Sequence, residues 1–196
     1  MDEGRARVVI LAGPSGSGKS HIAHRSGLPV LRLDDFYKDA DDPTLPLSEE
    51  LGIPDWDDVR AWHADRAVAA LAQLCRTGSV EVPTYDISLS RSTGTAEFRC
   101  DDAAAVVAEG VFAPDIVDAC REAGMLADAV VLVRAPWKNF VRRLARDLRE
   151  HRKPPLTLLR RGRLLMAHEE SVVAAARAKG CRPVTAGELA ALLRSL

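Results

Sequence analysis

The sequence predicts an α/β chain built on a three-layer, doubly wound parallel sheet. Three observations carry that reading. Short apolar, β-branched runs alternate with longer stretches of helical character. The first such run, Arg7–Ala12, passes at once into a glycine-rich loop and then a helix. Acidic residues stand just after several of the runs, where doubly wound sheets place their ligands.

The elements are expected in this order. Arg7–Ala12 reads as a buried strand, and the segment around His21–Arg25 as a helix that stops near Gly27. Val30–Leu33 reads as a short second strand. A loop rich in Asp and Pro runs from Asp34 to about Asp55, and a helix from about Asp58 to Arg76, with Asp57 as N-cap and Gly78 as stop. Val80–Pro83 reads as an edge strand, and Ile87–Arg99 as a hairpin or loop around Thr93-Gly94. Ala104–Ala108 reads as a buried strand that ends at Glu109-Gly110, and Pro114 opens a helix closed by Gly124. Ala129–Val133 is the most apolar strand. Pro136 starts a basic helix to about Arg152, broken by Pro154-Pro155. A further helix covers roughly Leu156 to Lys179, with Gly180 as its stop. Cys181–Val184 reads as a last short strand and Ala186–Leu192 as a last helix.

Composition sets modest bounds. A length of 196 residues fits one domain of this class, with residues 139–156 expected to form a lid. A net charge of −1 gives no global drive toward nucleic acid or a membrane, and neither is expected as a partner. Cys75, Cys100, Cys120 and Cys181 lack metal-ligand spacing and suit a reducing cytoplasm. Met1–Gly4 leads straight into the first strand without a signal-peptide pattern, and no apolar run reaches membrane-spanning length.

The most informative segment is Gly13-Pro14-Ser15-Gly16-Ser17-Gly18-Lys19-Ser20. It fits Gly, four residues, Gly-Lys-Ser, the phosphate-binding loop of nucleotide triphosphatases and kinases. The glycines allow close backbone approach to a phosphate. Backbone N–H groups then cradle the β-phosphate, and the following helix adds its positive end. Lys19 is expected to bridge the β- and γ-phosphates, and Ser20 to place its hydroxyl on Mg²⁺. The expected cofactors are therefore ATP or GTP with Mg²⁺, on a P-loop nucleoside triphosphate hydrolase fold.

Other residues complete the expected site. Asp34 follows the second strand and can take a proton from a substrate hydroxyl as that oxygen attacks. Asp35 either caps the turn or holds Mg²⁺ through water. Glu109 ends a buried strand beside the loop, a place that serves Mg²⁺ or its waters. Arg142, Arg146 and Arg149 share one helix face with Arg143 beside them. Arg143 and Arg146 are the arginines expected to act on phosphate, the latter on the transferring group. Trp56 and Trp62 read as core or staple residues, His21 as a surface residue, and His63 and His168 as unpartnered at metal-ligand spacing.

Four blocks, in order, resemble the uridine kinase family, within the wider group that includes phosphoribulokinase and bacterial pantothenate kinase. They are the glycine loop, Leu33-Asp34-Asp35-Phe36-Tyr37, Val82-Pro83-Thr84-Tyr85-Asp86 with Arg91, and Val107-Ala108-Glu109-Gly110-Val111-Phe112. The Arg142-Arg143 and Arg146-Asp147 segment resembles that family's lid. The resemblance implies that Asp34 is the general base for a primary hydroxyl, that Asp55 binds ribose hydroxyls, and that Tyr85 borders the pyrimidine. Arg91 is assigned to the acceptor side with them. Two features depart from the family: no His follows soon after Tyr85, where Leu89 and its neighbours stand, and the lid continues Glu150-His151-Arg152-Lys153 where the family tends to Glu-Arg-Gly-Arg. The expected acceptor is a small molecule, a nucleoside such as uridine or cytidine first, with pantothenate, glycerate or a sugar as runner-up. A regulatory ATPase without a small acceptor is the reading from another class.

Overall fold

The computed structural model describes residues 6–14, 16–49, 52–101, 103–134 and 170–196. Its elements run β1 (Arg7–Ala12), α1 (Lys19–His24), β2 (Val30–Arg32), α2 (Ala64–Thr77), β3 (Ser79–Asp86), β4 (Arg91–Arg99), β5 (Ala105–Glu109), α3 (Val117–Glu122) and β6 (Leu126–Leu132). A helix over 170–178, α4, then precedes β7 (Arg182–Val184) and α5 (Ala186–Arg194). The apolar, β-branched runs become five parallel strands in the order β2-β5-β1-β6-β7.

Alternation along the strands builds the layers. Val8 and Ile10 of β1, Val106 and Ala108 of β5, and Val131 of β6 face one side, against Leu71 and Leu74 of α2 and Val117 and Cys120 of α3. Val9, Leu11, Val107, Val130 and Leu132 face the other, against Ala23 of α1 and Leu189 and Leu193 of α5. Both faces of the sheet are covered, as parallel sheets require. The result is the expected three-layer, doubly wound arrangement. Thr185 and Glu188 close a capping box at the start of α5. Among the described residues, no helix is long and apolar enough to cross a membrane.

Two expectations need correction. The helix expected from Asp58 with Asp57 as cap is two elements. Asp58 accepts a hydrogen bond from the Arg60 amide and opens a 3₁₀ turn over Val59–Ala61, and α2 begins only at Ala64. Between them Trp62 takes an extended conformation, is buried, and donates from Nε1 to the Leu33 carbonyl at 2.7 Å. Anchoring that ring interrupts the helix. The Gly78 stop is as expected, with a φ of 82° and its amide on the Leu74 carbonyl.

The hairpin is also differently placed. β3 and β4 pair antiparallel as a separate two-stranded ribbon, and the chain reverses at 87–90, not at Thr93-Gly94. Asp86 makes the turn: its Oδ1 accepts from the Ser88 amide at 2.8 Å and the Ser88 hydroxyl at 2.6 Å. Gly94 lies within β4, opposite Thr84 beside a register shift. The lid expected at 139–156, with Arg143 and Arg146, lies outside the described residues, as does His168.

Candidate active site

The central strand delivers the glycine loop. After β1 the chain turns so that the Ser17 amide donates to the Pro14 carbonyl at 3.1 Å. Gly18, at a φ of 85°, then caps α1, a conformation that favours glycine. A β-carbon on Gly13 would meet the Leu132 carbonyl at 3.2 Å and Ser17 Oγ at 3.3 Å, so the loop is pressed onto the end of β6. Ser17 is fully buried, and its hydroxyl has no hydrogen-bond partner among the described residues. A buried polar atom left without a partner is costly, and a ligand oxygen is a natural partner. Ser15 lies outside the described residues.

Strand register brings the acidic residues to the same edge. Glu109 is paired with Leu11 of β1 and with Arg32 of β2, so β1, β2 and β5 end in one row. Asp34 follows two residues after Arg32. Its Oδ1 accepts from the Val111 amide at 3.0 Å, which fixes the carboxylate beside the end of β5. A β-carbon on Gly110 would stand 2.8 Å from that same oxygen. Glu109 is buried, and its Oε2 accepts from the Ser20 hydroxyl at 2.9 Å. A hydroxyl and a carboxylate in contact are the oxygen donors that a hard divalent cation takes. Glycine loop, orphan hydroxyl and oxygen pair together fit a nucleoside triphosphate.

Aromatic rings border this edge. The Tyr37 ring lies 6.0 Å from Trp56, edge-on, 6.0 Å from Tyr85 and 5.7 Å from Phe112. Its hydroxyl donates to the Trp56 carbonyl at 3.3 Å. Burial, then the charges of Asp34 and Asp57, hold the Tyr37 phenol well above its usual pKa. Tyr85 donates to the Lys38 carbonyl at 3.0 Å, and its phenol is pushed up to about 12 by burial and by Asp39. Asp55, half-buried beside Trp56, accepts from the Asp57 amide at 3.1 Å.

Thus Ser17, Ser20, Glu109 and Asp34 share one edge, with Tyr37 linking it to Tyr85 and Trp56. Lys19 opens α1 and is half-buried. Arg91 is not brought into this group: it is exposed at the start of β4, opposite Asp86. Asp35 turns from Asp34 toward Arg32, at 3.4 Å. It lines a cavity of about 430 Å³ with Asp39, His63, Arg66, Pro83 and Ser92. Asp34, Lys19 and Tyr85 do not line that cavity. A second cavity, about 250 Å³, adjoins the loop at Pro14, with Arg134, Glu170, Val173 and Arg177 around it. His21 is exposed as expected, and Trp62 is core, but Trp56 is half-buried against Tyr37.

A parallel sheet whose central strand ends in this loop places the chain among the phosphate-loop kinases, phosphotransferases with an alcohol group as acceptor. The likeness extends beyond the loop. Uridine kinase of Lactobacillus helveticus is 30% identical over 156 residues, 73% of this chain and 68% of that protein. Uridine kinase of Lactobacillus johnsonii is 26% identical over 159 residues, 76% of this chain and 72% of that protein. Among solved structures, a candidate fructose transport system kinase from a Silicibacter species superposes with a TM-score of 0.59 at 18% identity, over 86% of this chain and 85% of that one. A candidate uridine kinase from Bacillus stearothermophilus does so at 0.51 and 16% identity, over 91% and 89%. These two establish the fold. No family model matches the chain. The chain belongs to the uridine kinase family.

Proposed function

We propose that this kinase transfers the γ-phosphoryl group of ATP or GTP, with Mg²⁺, to the primary hydroxyl of uridine or cytidine. The observation that carries the reading is Asp34, held by the Val111 amide at 3.0 Å on the edge where Ser20 meets Glu109. A nucleotide-binding switch without a small acceptor has no need of a base facing an acceptor pocket. The uridine kinases to which the chain is similar support the nucleoside.

In this reading the backbone of Gly13, Pro14, Ser15, Gly16, Ser17 and Gly18 cradles the phosphates, and Lys19 neutralises the β- and γ-oxygens. Ser20 and Glu109 would hold Mg²⁺, which would supply charge neutralisation to the phosphates. Asp34 orients the acceptor hydroxyl and takes its proton. Asp55 binds ribose hydroxyls, Tyr85 borders the base, and Arg91 contributes from the hairpin. Arg143 and Arg146, from a lid on the same single domain, stabilise charge on the nucleotide and the transferring group. Four buried thiols support a reducing, cytoplasmic setting.

Release of ADP is measured with uridine, cytidine, pantothenate, glycerate and a hexose. Uridine or cytidine should give the highest kcat/KM; turnover of another acceptor in their place overturns the nucleoside reading. Asp34→Asn should lower kcat with the best acceptor by about 10²-fold while triphosphate affinity holds. Arg146→Ala should lower kcat by a similar factor. Wild-type turnover in Asp34→Asn would make Asp34 a turn residue and remove the main chemical support of the kinase reading.

A further inference from the structure

Hydrogen bonds tie the 33–40 segment to the β3–β4 hairpin, and three of them lie toward the turn. Tyr85 Oη donates to the Lys38 carbonyl at 3.0 Å, and the Ala40 amide donates to the Ser90 carbonyl at 2.8 Å. The third is different in kind: the Ser92 amide donates to the Asp39 carboxylate, Oδ1, at 2.6 Å. Here a charged side chain reaches across, as the Asp35 carboxylate does to the Tyr85 backbone, and charge-assisted bonds are the strong ones. Asp39 and Ser92 are 53 positions apart, and both are half-buried.

The hairpin needs such a tie. It belongs to a two-stranded ribbon outside the parallel sheet, and β4 is largely exposed. Two-stranded ribbons are marginal by themselves. Yet β3 carries Tyr85, whose ring lies 6.0 Å from Tyr37, three residues after Asp34. Ser92 is the register partner of Tyr85. A bond on the Ser92 amide therefore acts at the rung of the ladder that bears the Tyr85 ring.

We infer that Asp39 is a positioning residue. Its carboxylate locks the hairpin at the Tyr85–Ser92 rung onto the segment that carries Asp34, and so fixes the aromatic wall of the acceptor site. The inference rests on the acceptor site proposed above. Asp39 itself touches no reacting atom; it acts through Ser92 and Tyr85.

Asp39→Ala and Asp39→Asn separate this role from others. Asparagine keeps an oxygen for the Ser92 amide; alanine does not. In Asp39→Ala, exchange of the Ser92 amide should accelerate, and KM for uridine should rise about tenfold, the equivalent of about 1.4 kcal/mol. KM for the triphosphate and kcat at saturating uridine should stay near wild type. Asp39→Asn should restore both readouts. Ser92→Pro removes the donor and leaves Asp39 in place, so it should reproduce the rise in KM should Asp39→Ala fold poorly. Unchanged Ser92 exchange in a folded Asp39→Ala overturns the tie, whatever the acceptor. An equal rise in uridine KM in both Asp39 variants overturns it as well, because the charge would then be acting on the substrate directly. Amide exchange is read without acceptor, so failure of wild type to use uridine counts against the nucleoside and leaves the tie decided by exchange.

Discussion

Asp34 and Asp35 are neighbours in sequence but meet different surroundings. Asp34 is oriented by the Val111 amide; Asp35 faces Arg32 and lines the larger cavity. Burial raises the Asp35 pKa above 3.8, against the smaller pull of the Arg32 guanidinium. The folded protein thus binds a proton there more tightly than the unfolded chain. Stability consequently falls as pH rises from the unfolded value through the folded one. Asp35→Asn abolishes this titration, keeps an oxygen for the Tyr85 backbone hydrogen bond, and loses only the ion pair with the exposed Arg32, which contributes little. The Tm of Asp35→Asn relative to wild type should therefore rise as pH increases from about 4 toward neutrality. Thermal melts across that range check it; a constant difference would mean that Asp35 ionises alike in both states. Asp34 and Glu109 were legible in sequence because each directly follows or ends an apolar run. Asp39 was not, because its partner is distant in the chain and a backbone amide has no sequence signature. The buried hydroxyl of Ser17, unpartnered among the described residues, was hidden for a similar reason: burial is a property of the packed loop, not of the octet.

At the level of elements, the end of β5 and the turn after β2 approach each other closely. A β-carbon on Gly110 would stand 2.8 Å from Asp34 Oδ1 and 2.9 Å from the Leu33 β-carbon. Real β-carbons do not come that near, so Gly110→Ala must separate the two segments. Overpacking of this kind costs about 1–3 kcal/mol. It also moves the carboxylate proposed as base, so activity should fall along with stability. Gly187→Ala is the control: open space surrounds that position in α5, and the change should be neutral or stabilising by up to about 1 kcal/mol. Denaturant melts and turnover assays on both variants check the contrast. Equal stability of Gly110→Ala and wild type would show that β2 and β5 yield freely. Element types were largely readable because apolar periodicity follows from burial. Errors fell where a side chain overruled local pattern. Trp62 anchors to Leu33 and splits one expected helix, and Asp86 closes a turn several residues before the Thr-Gly pair that looked like one.

The order β2-β5-β1-β6-β7 governs the whole molecule. It sets β1 centrally, so that its loop is flanked by β5 on one side and β6 on the other. Nothing local specifies that order; it emerges from covering both faces of one sheet with crossover helices. Parallel alternation could be read from the sequence, but the neighbours of each strand could not. One consequence concerns the molecule as a unit. The loop joins β1 to α1 and presses on β6, so a ligand seated there should stabilise the fold cooperatively. Triphosphate with Mg²⁺ at about 100 times its Kd adds about 2.7 kcal/mol. For a chain of this size each kcal/mol is worth about 2–4 °C, so Tm should rise by about 5–11 °C. Lys19→Ala should lose most of that shift and all turnover. Its ligand-free Tm should match wild type, because Lys19 is half-buried and outside both core clusters. Calorimetric melts with and without triphosphate, alongside titration calorimetry, decide the matter. A full ligand-induced shift in Lys19→Ala would place the nucleotide elsewhere. A fall in its ligand-free Tm would mean that the lysine serves the fold before it serves the phosphate.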